Sequence, residues 1–181
     1  MTPITSDAFL AAWKTVASSR AAEIENLWDA LREYTSMIFH GDRALIADVA
    51  AELHLLCYPH TYYHTDAILY TDEDIVPRTE EKGHWFRSFK VAFEHEHKWN
   101  DDLYQEISHL LVLRSQLSVI VTYPPDRDTD RLNYFHQIIS TSPCANELHA
   151  NRNFLLILGY RKPQHWEGLV YQRDNWEPLS P

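Results

Sequence analysis

Lys90–Trp99 reads KVAFEHEHKW. It begins like the middle of a buried strand and closes on Glu94, His95, Glu96, His97 and Lys98. Strand side chains alternate between two faces. Val91, Phe93, His95 and His97 therefore share one face, and Ala92, Glu94, Glu96 and Lys98 share the other. On a regular strand Glu94 and Glu96 stand about 7 Å apart. Like charges so placed repel unless a cation or a basic group lies between them, which is the physical case for a metal site. The competing reading is a strand that leaves the core here and turns its charges to solvent.

Upstream, Tyr62–Tyr70 (YYHTDAILY) is rich in aromatic and β-branched residues and reads as a strand. Asp66 interrupts it where Asp is disfavoured, so it is the candidate third carboxylate. The acidic loop Thr71–Gly83 follows, and HWFRSFKVAFEHE (84–96) reads as the second arm of a hairpin. Downstream, NDDLYQEISHLLVLRSQ (100–116) has helical spacing, with Asn100 or Asp101 as cap and Leu103, Ile107, Leu110 and Leu111 inward. Gln105, Glu106 and His109 share a face of that helix and could line the same cleft, although a solvated helix side is the simpler account. LSVIVTYPP (117–125) is a buried strand stopped by prolines, 127–143 a further helix, RNFLLILGYR (152–161) a strand and WEGLVYQRD (166–174) its edge partner.

The chain before this reads as helical. Ser6 or Asp7 caps a first helix; Ile24, Leu27, Trp28, Leu31 and Ile38 follow helical spacing to a stop at Gly41; Ala44–Leu56 forms a third. Strands alternating with helices define an α/β protein with crossover helices. The expected organisation is one domain over 1–181, with a helical layer at 1–56 and a mixed-sheet core at 57–175.

The chain has 181 residues and a net charge of −10. That acidity argues against a general nucleic-acid coat protein, which is ordinarily basic. No apolar run reaches membrane-span length, and the N-terminus lacks the basic start and apolar segment of a signal peptide. A cytoplasmic location without membrane partners is expected. Cys57 and Cys144 form no CxxC pair and read as reduced thiols, a disulfide being the alternative. The histidines do not show the close Cys/His spacing of structural zinc sites. No phosphate-binding glycine loop, GxSxG or HExxH occurs.

Asp66, the strand KVAFEHEHK, a capped helix and the strand LSVIVTYP together resemble the core of the PD-(D/E)XK nuclease superfamily over roughly Ala44–Tyr123. The resemblance implies a restriction endonuclease-like fold: helix, three-strand meander, crossover helix and a further strand. It implies a metal-dependent nuclease that uses Mg²⁺ or Mn²⁺ on nucleic acid, with DNA as the expected substrate and a homodimer as the arrangement that cuts both strands. Two registers fit: Glu94-His95-Glu96 as E-x-E, which is preferred, or Glu96-His97-Lys98 as E-x-K. Asp66 and Glu94 would ligate the metal with the backbone carbonyl of His95. Glu96, or Lys98 in the other register, would handle the attacking water. Glu52, or secondarily Glu33, would add an acidic ligand from the preceding helices. Asp66 follows Thr65 rather than the proline of the motif. A non-catalytic binding protein of the same fold, its carboxylates paired with basic groups such as Arg87, is the alternative. A third reading is an unrelated protein whose acidic surface binds a basic partner.

Overall fold

The computed structural model describes residues 3–41, 43–77, 85–100, 102–162 and 164–179. At its centre is β4 (Leu117–Thr122), buried at every position. It lies between β3 (Val91–Glu96) and β5 (Phe154–Arg161), and both neighbours are parallel to it. A strand covered on both faces is largely apolar, which is why FLLIL is wholly so and LSVIVT admits only the small hydroxyls of Ser118 and Thr122. Beyond β3 lie β2 (Ala67–Tyr70) and β1 (Leu56–Tyr58), each antiparallel to its neighbour. Beyond β5 lie β6 (Gln164–Tyr171) and β7 (Trp176–Pro178), also antiparallel. The seven strands follow chain order across the sheet.

Parallel neighbours require crossovers. These are α5 (Leu103–Val112) and α6 (Thr129–Ser140), the latter followed by α7 (Ala145–Asn151). Leu103, Ile107, Leu110, Phe135 and Ile139 pack with Ile68, Ala92, Ile120 and Leu156 on one face of the sheet. The other face is covered by α1 (Ser6–Ser19), α2 (Ala21–Leu27), α3 (Leu31–Phe39) and α4 (Leu45–Glu52). There Phe9, Trp13, Ile24, Ile38 and Ile46 meet Val91, Phe93, Val119 and Ile157. Trp13 stacks on Phe93 and sets its edge against Trp166. The result is α/β with a mixed sheet between two helical layers.

Several boundaries differ from the expected ones. The helix expected from Ala21 to Gly41 is two helices, broken at Trp28–Ala30. Arg161 pairs with Asp29 at 2.8 Å, and the Trp28 ring packs edge-on to Tyr34 and Tyr123. Tertiary contacts thus override the helical period there. Gly41 does end the second piece, at φ 79°. The third helix stops at Glu52, and β1 already begins at Leu56, after His54 adopts a left-handed conformation at φ 56°.

Tyr62–Thr65 is a tight turn rather than strand, closed by reciprocal backbone bonds of 2.9 and 3.0 Å. Residues 85–90 are not strand either. Buried Asp74 takes hydrogen bonds from Thr71, Ser88 and Lys90 and holds the chain as a loop. Thr5, not Ser6 or Asp7, caps α1. Asp102 stands at the N-cap of α5, and Asp101 lies outside the described residues, as do 78–83 of the acidic loop and His84 after them. Helix α7 and strand β7 were not foreseen. Among the described residues no helix is long and apolar enough to cross a membrane. Cys57 and Cys144 are free thiols.

Candidate metal centre

Alternation along β3 sorts its last residues as the sequence implies. His95 and His97 point into the N-terminal helical layer, where both rings pack against Tyr34 and Tyr123. Glu94 and Glu96 point the other way, toward α5. Ala67 is registered with Phe93, so Asp66 sits level with Glu94 at the entrance to β2. The two residues are joined crosswise. The Asp66 backbone N–H donates to Glu94 Oε2 at 3.3 Å, and the His95 backbone N–H donates to Asp66 Oδ2 at 2.9 Å.

Helix α5 completes the group. One ligand atom from each of Glu94, Glu106 and His109 lies within 4.8 Å of the others. His109 Nδ1 is 3.3 Å from Glu106 Oε2. Its ring stacks on that of His64, with centroids 5.7 Å apart. His64 stands in the turn before Asp66, where Tyr63 and His64 both hold left-handed φ values of 49° and 68°. Bulky L-residues reach that region only at a cost, and such strain concentrates at functional sites.

The electrostatics follow from burial. Glu94 is 1% exposed. Loss of hydration raises its pKa well above the carboxylate range, and the charges of Asp66 and Glu106 push it further. Burial likewise raises Asp66, against the His95 N–H that favours its charged form. Glu106 is also raised by burial, partly offset by His109. Glu94 Oε1 has no hydrogen-bond partner among the described residues. A fully buried carboxyl oxygen without a partner is costly and uncommon in native proteins. The Glu94 carboxyl lies among other acidic groups and an imidazole, the donor set that a divalent cation would satisfy.

Of the residues expected at the site, Asp66, Glu94, Glu106 and His109 come together. Glu96 borders them: its charge acts on both Asp66 and Glu106, and its Oε1 accepts the Lys98 N–H at 2.7 Å. The backbone N–H of His95 touches the site through Asp66, whereas its ring does not. The His95 imidazole is buried in the opposite layer, Nε2 3.0 Å from the Tyr123 hydroxyl, and burial holds its pKa down at about 3.

Lys98 is exposed in the bend after β3 and lines a different cavity. Gln105 is exposed, and among the described residues its amide reaches only the Tyr104 hydroxyl. Glu52 and Glu33 are exposed on helices of the layer that covers the opposite face of the sheet, and neither joins the group. Arg87 bonds the Glu73 carbonyl rather than any site carboxylate. His64 belongs at the site but lies in a turn, where strand alternation says nothing about direction. No protein-family model matches the chain, and neither does any curated protein or solved structure.

Proposed function

We propose that this protein is a metal-dependent phosphodiesterase acting on nucleic acid, with DNA the first substrate to test. The buried, unpartnered Glu94 Oε1 among Asp66, Glu106 and His109 carries the reading. The order α4–β1–β2–β3–α5–β4, with a meander ahead of the crossover helix, supports a restriction endonuclease-like fold. The convergence of the carboxylates, with no Arg or Lys ion-paired to them among the described residues, favours this reading over a non-catalytic one.

Glu94, Glu106 and His109 would hold the cation, with the Asp66 carboxylate beside them. Two carboxylates with a third next to them suit Mg²⁺ or Mn²⁺, and the imidazole tilts the preference to Mn²⁺. When bound, the cation supplies Lewis-acid stabilisation of phosphate charge and acidifies water. Glu96 is the base: the Lys98 N–H fixes one of its oxygens and leaves the other to take the proton that water loses on bonding to phosphorus. The leaving ester oxygen is protonated by solvent. The E-x-E register is therefore the working one, with Lys98 outside the chemistry.

Calorimetric titration with Mn²⁺, beside a cleavage assay on single- and double-stranded DNA and RNA, tests this. The native protein binds Mn²⁺ and cleaves, Glu94→Gln does neither, and Glu96→Gln keeps the metal but loses cleavage by about 10²-fold or more. Absence of Mn²⁺ binding in the native protein overturns the metal centre. Metal binding without cleavage of any nucleic acid overturns the enzyme in favour of a binding protein.

A further inference from the structure

Where the chain runs on from Glu96 into His97 and Lys98, a cavity of about 680 Å³ opens at the carboxyl ends of β3, β4 and β5. Its walls come from both sides of the sheet edge. Trp28 and Tyr123 belong to the layer of α1–α4, and Trp99, whose ring meets Phe135, to the layer of α5 and α6. Tyr160 ends the wall on β5, its ring stacked on His165 at 4.6 Å. Lys98 and Lys162 stand exposed at its mouth, and neither has an ion-pair partner among the described residues. In a chain of charge −10, two exposed lysines in the lining of one cavity, with no carboxylate among the described residues of that lining, are a departure.

Arg161, also in the lining, is committed elsewhere. It pairs with Glu25 at 3.3 Å and Asp29 at 2.8 Å, which fixes the loop that carries Trp28. The aromatic wall is therefore braced. His97 lines the same cavity, and its Nδ1 is buried without a partner among the described residues.

We infer that this cleft binds single-stranded nucleic acid, with unpaired bases against the rings and phosphates on Lys98 and Lys162. Rings interleaved with cations recognise single strands because every base offers a π face, whereas a duplex keeps its bases stacked inside. The volume lies within the range of small-molecule sites and suits one or two nucleotides rather than a duplex. Continuity with the carboxylates runs through the chain: Lys98 is two residues from Glu96, and its backbone N–H donates a hydrogen bond to Glu96 Oε1, so a strand held on Lys98 passes beside the proposed base. The inference rests on the phosphodiesterase reading for its consequence, cleavage of single-stranded or unpaired segments, but binding is separable from metal.

Fluorescence anisotropy with labelled oligothymidine, oligouridine and a mixed-sequence duplex, all in EDTA, measures it. Either single strand binds the native protein more tightly than the duplex does. Lys98→Glu/Lys162→Glu weakens single-strand binding by about tenfold or more and lowers the salt slope by roughly 1.4, the value for two phosphate contacts. Tyr160→Ala weakens it roughly 5- to 100-fold, and circular dichroism shows each variant folded. No single-strand binding, equal binding of the duplex, or unchanged affinity of the lysine variant overturns the inference. None of these outcomes touches the metal centre, which fails only if Mn²⁺ does not bind.

Discussion

Glu94 and Asp66 each lose hydration at the junction of β2 and β3; the charge of Asp66 raises Glu94 further, whereas the side-chain hydrogen bond from Glu94 favours the charged form of Asp66, which the charges of Glu106 and Glu96 oppose. A carboxyl whose pKa is raised by folding binds protons more tightly in the folded state. Its stabilising contribution is complete below the unfolded value and is lost as pH rises through the folded one. Without metal, the carboxyl pair is therefore expected to lower stability as pH rises from neutral to alkaline, above the range in which buried His95, whose pKa is held down, acts with the opposite sign. Glu94→Gln keeps an acceptor for the Asp66 N–H, offers an N–H to the Asp66 carboxyl and needs no proton taken up on folding. We expect it to raise stability by about 1 kcal/mol at neutral pH in EDTA, a Tm rise of about 2–4 °C for a chain of this size. It should also flatten the decline toward high pH. Thermal scans in EDTA from roughly pH 5 to 9 check this. A variant less stable than the native protein at neutral pH would sink the account, because Glu94 would then be a structural rather than a functional carboxyl. The same residue shows what the sequence displayed: the facing of Glu94 followed from alternation, and Asp66 was legible as an acid interrupting an apolar run, although it stands just before β2 rather than within a strand. The contribution of Glu106 and His109 was visible as a shared helix face, but its burial depended on how α5 lies across β3, which no local pattern encodes.

At the scale of elements, the turn Tyr62–Thr65 is where the chain departs most from its local propensities. Two adjacent aromatic residues with left-handed φ replace the Asn-Gly or Gly-Gly that such turns favour. The sequence YYHTDAILY reads as continuous strand because nothing in it signals a turn; reciprocal bonds between Tyr62 and Thr65 and the stacking of His64 on His109 impose one. If strain is being spent to place His64 and Asp66, relieving it at the exposed neighbour should stabilise. Tyr63→Asn, an exposed site, is expected to gain up to about 1 kcal/mol, and Tyr63→Val, β-branched at positive φ, to lose about 1–3 kcal/mol. Urea unfolding of both variants measures the difference. Equal stability of the Asn and Val proteins would mean that the turn is not strained. The broken helix at Trp28–Ala30 has the same logic, since the period of Leu27, Trp28 and Leu31 is helical but Arg161, from the far end of the chain, sets the break.

Across the whole molecule, the three-layer order was legible because buried parallel strands carry unbroken apolar runs and crossover helices carry 3.6-residue spacing. The edge strands were not: β1 and β7 span three residues each and have no period to read. What joins the N-terminal layer to the far edge of the sheet is also absent from any local pattern. Gly168 in β6 has no side chain because Leu10 of α1 occupies that space, and a Cβ there would run into the Leu10 methyl groups. Leu10 is itself buried at 3% exposure, so it has little room to yield. Gly168→Ala is expected to cost about 1–3 kcal/mol by overpacking, and Leu10→Ala about 2–5 kcal/mol by leaving a cavity. Combined, the added methyl enters the vacated space, so the double variant should lose less than the sum of the singles by about 1 kcal/mol or more. A double-mutant cycle by chemical unfolding measures that coupling. Additive losses would mean that α1 does not rest on β6 at this point, and that the layer bearing Trp28 and Tyr34 takes its position from α4 and β5 instead.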